Sequence, residues 1–157
     1  MAIKIVTDST SYIPKKYLEK YDISVVSLNI LLKNTNRRET SISNQTFYKE
    51  MEEAKEFAVS SQPTPEEFYD VFDKIAKNGD DIVGIFISSE MSGTYSTANL
   101  VKNMILEKYD INIEIIDSRT NCMQMGFIVL EAAKHAKFGK SMNEILDIAN
   151  NTIKNSR

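Results

Sequence analysis

With 157 residues, 42% hydrophobic and 26% charged, the chain is long enough for one domain with a real core and too short for two ordinary ones. A net charge of −3 with scattered Lys and Arg excludes the electrostatic footprint of a nucleic-acid binder and the basic face of a membrane-surface helix. The single cysteine, Cys122, excludes an internal disulfide and fits a reducing cytoplasm. No apolar run approaches the ~20 residues that cross a bilayer, and the first one is too short for a signal peptide, so neither span nor leader is expected.

In chain order, residues 2–6 predict a buried strand ending in the polar cluster Thr7-Asp8-Ser9-Thr10-Ser11. Pro14 opens a short helix to Tyr21. Residues 23–32, rich in branched apolar side chains, predict a second strand, and residues 33–41 a polar loop. Ser43 caps a helix to about Lys55, with Phe47 and Met51 on its buried face. A short apolar piece at residues 57–59 leads into Ser60-Ser61-Gln62-Pro63-Thr64-Pro65, where the prolines force an extended turn. Thr64, Pro65 and Glu67 form a strong helix start, Phe68, Val71, Phe72 and Ile75 its core stripe, and Gly79 its stop.

Residues 82–87 predict a strand buried on both faces, followed by a hydroxyl-rich turn. A helix then runs from Gly93 to about Tyr109, with Tyr95, Ala98, Val101 and Ile105 on one face. Residues 111–116 predict a strand ending in Asp117-Ser118. Residues 122–138 form a helix apolar on most sides and therefore well buried. Ser141 and Glu144 make a second capping box, opening a last helix with Ile145, Leu146, Ile148, Ala149 and Ile153.

Strands alternating with helices predict a three-layer α/β domain over residues 1–157, its mostly parallel sheet covered by helices on both faces. Ligands in such sheets bind beyond the C-terminal strand ends. The polar clusters at residues 7–9, 60–62, 88–94 and 117–118 are all expected there. Ser92 either only caps the helix after Gly93 or, with Thr94 and the helix N–H groups, holds an anion.

The loops at residues 60–64 and 88–97 contain no Lys or Arg, and no Walker-type phosphate motif is present. A single carboxylate suits such hydroxyl loops better than a phosphate. Asp8 and Asp117 could act as base or metal ligand, although Asp at a strand end more often holds a neighbouring loop. His135, the only histidine, lies mid-helix as a surface or packing residue, and Cys122 is assigned to packing. Arg37-Arg38 belongs to a solvated loop, and methionines such as Met91, Met123 and Met125 suit core filling or a shape-variable apolar ligand.

Taken together, Ile5-Val-Thr-Asp-Ser-Thr10, Val26-Ser-Leu-Asn-Ile30, Ser60-Ser-Gln-Pro-Thr64, Ile87-Ser-Ser-Glu-Met-Ser-Gly-Thr-Tyr-Ser-Thr-Ala98 and Ile116-Asp-Ser118 resemble the DegV family of bacterial proteins. Members are fatty-acid-binding proteins that serve as the lipid-carrying subunit of fatty acid kinase. The resemblance runs over nearly the whole chain. It implies a DegV N-terminal-domain fold that binds a long-chain fatty acid, holds its carboxylate at Ser60 and Ser92, and presents it to the kinase catalytic subunit.

Ser9, Ser61, Gly93, Thr94 and Asp117 complete the candidate ligand-binding set, with no catalytic residue, metal or cofactor. Two motifs depart from the family. Cys122-Met-Gln-Met-Gly126 stands where members have Ser-x-Gly-x-Gly, and Arg38-Glu-Thr-Ser-Ile-Ser43 only loosely matches an acidic, glycine-containing motif. Members also continue into a second domain, which this sequence does not reach. It is therefore a single-domain piece, a truncated product or a half-length member, and the surface facing that domain is left to pair two copies. Two rivals stand beside this reading: a hydrolase or phosphotransferase using Asp8 or Asp117, and an interaction domain without a small ligand.

Overall fold

The computed structural model describes residues 1–156. Four strands, β1 (Ile3–Asp8), β2 (Ser24–Val26), β6 (Asp81–Phe86) and β7 (Ile113–Asp117), form one parallel sheet in the order β2-β1-β6-β7. Their alternate residues feed two cores. On one face Ile5, Val83 and Ile85 pack with Met125, Ile128 and Val129 of α5 (Cys122–Lys137) and Ile145 of α6 (Met142–Asn155). The helix α1 (Lys15–Tyr21) joins this layer through Tyr17 and Leu18.

On the other face Val6, Ile82 and Phe86 meet Phe68 and Phe72 of α3 (Pro65–Ala76) and Ala98, Val101 and Ile105 of α4 (Thr94–Leu106). Phe68 stands edge-on to Phe72 and Phe86, with ring centroids 5.9 and 5.2 Å away. Both predicted capping boxes form, Thr64 with Glu67 and Ser141 with Glu144. Lys140 and the Ser141 cap hold the Glu144 carboxyl down at about 2. The parallel sheet between helix layers is the expected α/β architecture. Among the described residues, no helix is long and apolar enough to cross a membrane.

The departures cluster in residues 23–61. The apolar run at 23–32 is two strands in different sheets, because the chain leaves β2 at Ser27. There the Leu28 carbonyl accepts Glu39 N–H and Ser27 Oγ accepts Thr40 N–H. The run continues as β3 (Asn29–Leu32), the central strand of a separate three-stranded antiparallel sheet. The expected loop at 33–41 contains β4 (Thr35–Arg38) and a 3-10 turn (Glu39–Ser41). Lys33 and Asn34 at φ 48° and 60° make the two-residue hairpin turn whose backbone matches strand twist.

The third strand, β5 (Val59–Ser61), lies in this small sheet, so the Ser60-Ser61 cluster is not at the edge of the parallel one. The helix α2 (Asn44–Ala54) buries no residue, and its Phe47 and Met51 are only half-buried. Instead of a core it has the Arg37–Glu50 ion pair. α5 is buried on one side only. Phe127 and Phe138 face solvent, and His135 lies half-buried 3.7 Å from Glu131.

Asp73, buried at the α3–α4 contact, accepts from Lys108 at 2.9 Å and Tyr109 OH at 2.8 Å and pairs with Lys77 at 2.5 Å. The Lys77, Lys108 and Tyr109 bonds hold its carboxyl well below the ordinary value of 3.8. A depressed native pKa adds stability that is present above the unfolded value and lost as pH falls through the native one. Asp73→Asn is therefore expected to melt lower than the parent at pH 7, with a gap that narrows below pH 3.8. Thermal melts from pH 2 to 7 check this, and a gap that does not change with pH would refute the ionic account.

Candidate functional site

The strand order places the topological switch between β1 and β6, where a ligand crevice is expected. Asp8 closes it. The Asp8 side chain is fully buried. Its Oδ2 accepts Ile87 N–H at 2.9 Å across the switch, and its Oδ1 accepts Thr10 N–H at 2.9 Å and Thr10 Oγ1 at 2.5 Å. Burial pushes its carboxyl up, against the pull of those bonds. Oδ2 joins the ends of β1 and β6 and Oδ1 holds the turn after β1, so both oxygens already have structural partners.

Asp117 is similarly committed. It accepts Ser89 N–H at 3.2 Å, Ser89 Oγ at 2.6 Å and Arg119 N–H at 2.9 Å, tying the turn before α4 to the end of β7. Ser9 Oγ accepts Leu28 N–H at 3.0 Å and donates to Glu39, which also accepts Tyr12 OH at 2.8 Å. Burial and then Glu39 raise the Tyr12 phenol pKa. A ligand carboxylate beside Ser9 would face the Glu39 carboxylate and be repelled.

The remaining candidates gather at the start of α4. Gly93 is the N-cap and offers no side-chain bond. Ser92 Oγ accepts Thr94 N–H at 3.3 Å and shares a hydrogen bond of 2.9 Å with Thr94 Oγ1, Thr94 itself being fully buried. With the Thr94 hydroxyl donating to Ser92 Oγ, the Ser92 proton is free to point at an acceptor. Among the described residues no acceptor takes the N–H of Tyr95 or Ser96, as first-turn geometry dictates. Hydroxyl, N–H groups and helix dipole all favour a single negative charge here.

The small sheet brings in Ser60. In an antiparallel pair, directly opposed residues share a face. Ser60 opposes Ile30, whereas Ser61 opposes Asn29. Ser60 therefore stands on the face of Ile30, which lines an open cleft of about 370 Å³ with Tyr12, Glu39, Ile42, Phe47, Tyr48 and Cys122. Ser61 stands on the other face, with Leu31 and Val59.

Gln62, just past β5, reaches α4 and donates from Nε2 to Thr97 Oγ1 at 2.9 Å. Its Oε1 lies 2.0 Å from where a Cβ on residue 93 would be. A Cβ at 93 would push the carboxamide aside, so glycine there is what lets Gln62 seat as it does. Ser60, two strand residues or about 7 Å before Gln62, and Ser92, next to Gly93, flank one junction. The retained glycine of the altered motif, Gly126, has a comparable reason, since a Cβ there would stand 2.6 Å from the Ser11 carbonyl oxygen. Sequence reasoning missed Gln62, Tyr12 and Glu39. For Gln62, the signal was its place between two serines and a proline.

The model of a family described as "Uncharacterised protein, DegV family" matches residues 2–157. A DegV domain-containing protein of Clostridium perfringens is 48% identical over 99% of this chain and 56% of its own length. Protein DegV of Bacillus subtilis is 34% identical over 92% of this chain and 50% of its own length. The chain thus spans about half the length of the curated relatives it matches.

Among solved structures, DegV from Bacillus subtilis, a fatty acid binding protein, has TM-score 0.88 and 32% identity over 98% of this chain and 54% of that one. A stearic acid-binding protein from Eubacterium ventriosum has TM-score 0.87 and 30% identity over 94% and 52%. A DegV family protein from Thermus thermophilus, described for its fatty acid binding, has TM-score 0.88 and 26% identity over 98% and 54%. Sequence motifs, α/β architecture and family match coincide along the chain, which belongs to the DegV family.

Proposed function

We propose that this chain forms the carboxylate-holding part of a fatty-acid-binding protein, with Ser60 and Ser92 donating to the acyl carboxylate and Thr94, Gly93 and the first N–H groups of α4 supporting Ser92. The observation that carries it is the meeting of the two hydroxyl-bearing segments, where the Gln62 carboxamide seats against Gly93. The fatty-acid-binding structures that superpose on nearly the whole chain support the choice of ligand. Cations are absent from both loops, which suits one carboxylate and not a phosphoryl group. Phosphoryl transfer is then the work of a kinase subunit to which the bound acyl carboxylate is presented.

An enzyme built on Asp8 or Asp117 is disfavoured because both side chains are taken up by strand-end bonds. Exposed Leu31 and Val59 on the small sheet, with exposed Phe57 just before it, support a contact surface for a second domain or a second copy.

The test joins this chain to the second half of the Clostridium perfringens relative and identifies lipid extracted from the purified protein by mass spectrometry. Stoichiometric long-chain fatty acid is expected. Lipid-free protein that also fails to take up oleate would remove the proposal. A hydrogen bond to a charged group contributes ~1.5–3 kcal/mol, so Ser60→Ala and Ser92→Ala should each weaken oleate binding roughly 10-fold or more. Their circular dichroism should match the parent. Unchanged affinity in both would place the carboxylate elsewhere.

A further inference from the structure

We propose that Gln62 is the positioning residue of this site, holding the Ser60 strand end on the first turn of α4 so that both serines face one carboxylate. The proposal rests on the reading of the site given above. β5 has three residues and pairs on one side only, with β3, so the sheet alone holds it weakly. Pro63, buried and lacking an N–H, stiffens the segment but adds no bond. Among the described residues the Gln62–Thr97 bond is the single hydrogen bond joining residues 59–63 to α4.

Its direction is set by chemistry. Thr97 Oγ1 gives its proton to the Gly93 carbonyl at 3.1 Å and so must accept from Gln62. The Gln62 NH2 therefore faces Thr97 and its Oε1 faces the Gly93 backbone. A carboxylate at position 62 could not donate, and any side chain at 93 would expel the amide. The hydrogen bond that Gln62 makes goes to Thr97 across the junction, so it acts through the serines on either side.

The experiment compares Gln62→Ala, Gln62→Met and Gly93→Ala with the parent, measuring oleate titration in the joined protein and amide hydrogen exchange in this chain without ligand. Gln62→Met keeps the side-chain length without the donor. Each Gln62 variant should weaken oleate binding about 10-fold, speed exchange at residues 59–62, and leave β1 and β6 protected. Melting should stay within about 2 °C of the parent. Gly93→Ala should reproduce this and add little in the Gln62→Ala background.

On a Ser60→Ala background, Gln62→Ala should also add little, because the misplaced hydroxyl is already gone. A loss that adds fully to that of Ser60→Ala would mean that Gln62 does not act through Ser60, and would overturn the proposal. Parent-like binding by Gln62→Ala beside tenfold losses in both serine variants would overturn it and leave the site standing. If the serine variants also bind like the parent, the reading of the site fails and the positioning role falls with it.

Discussion

Asp8→Ala should melt roughly 10 °C or more below the parent, or fail to fold. The side chain is fully buried and takes bonds from Thr10 N–H, Thr10 Oγ1 and Ile87 N–H. Alanine orphans two backbone donors, Ile87 N–H and the Thr10 N–H through which Asp8 caps the 3-10 turn (Ser9–Ser11), at ~1–3 kcal/mol each. The sum, about 2–6 kcal/mol, is a large share of the ~5–15 kcal/mol that holds a typical domain. Asp8→Asn keeps one acceptor oxygen but turns an NH2 toward a donor, so it should fall between parent and alanine.

A catalytic carboxylate would behave differently, since the asparagine variant would fold like the parent and lose turnover. Incubation with acetyl phosphate should add no mass to the parent. A phospho-adduct on Asp8, or an alanine variant that melts with the parent, would end the structural account. The pH dependence also has a sign. Burial raises the Asp8 carboxyl, so the folded chain holds that proton more tightly than the unfolded chain. The cost of ionising Asp8 is relieved as pH falls through the raised native value, opposite in direction to Asp73.

What could be read in advance was set by local rules. The run Ile82-Val-Gly-Ile-Phe-Ile87 between turn residues admits little but a doubly covered strand, and Thr64-Pro-Glu-Glu67 little but a helix start. These contacts span a few residues, and the parallel sheet follows from their alternation. The small sheet was not legible for a physical reason. An apolar run such as residues 23–32 has the same periodicity whether or not the chain changes sheets at Ser27, and the change is made by bonds to Glu39 and Thr40, far along the chain.

The candidate site divides the same way. Ser92 and Thr94 belong to one turn and were visible as a helix start. Ser60 and Ser61 differ by a single residue in sequence yet lie on opposite faces of β5, and only strand pairing with Ile30 and Asn29 decides which is which. Asp117 and Ser9 carry site-like chemistry, but their partners, Ser89 and Glu39, are brought in by tertiary structure and consume it.

The 157-residue polypeptide alone should fold cooperatively and bind a long-chain fatty acid weakly. Folding needs little beyond what is present. Ile5, Val83 and Ile85 on one face and Val6, Ile82 and Phe86 on the other are fully covered by helices, two of which carry complete capping boxes. Lipid affinity has a different source. Each buried CH2 contributes ~0.8 kcal/mol, whereas the carboxylate bonds mainly orient the ligand. The cleft lined by Tyr12, Ile30, Phe47 and Tyr48 is open to water, and Phe57 and Val59, outside it, are 91% and 63% exposed. Leaving half of an 18-carbon tail wet forfeits roughly 7 kcal/mol, about five orders of magnitude in Kd. The curated relatives are nearly twice as long, which leaves room outside the stretch matched here for a second wall of the proposed site. Isothermal titration of the polypeptide with oleate below its micelle range, run beside a thermal melt and a sedimentation measurement, tests this. A single cooperative melt with weak or absent heat of binding is expected, and dimers would mark the exposed face of the small sheet as the contact. Submicromolar binding by a monomer would show that these residues enclose the tail unaided, and the assignment of its wall to a second half would be wrong.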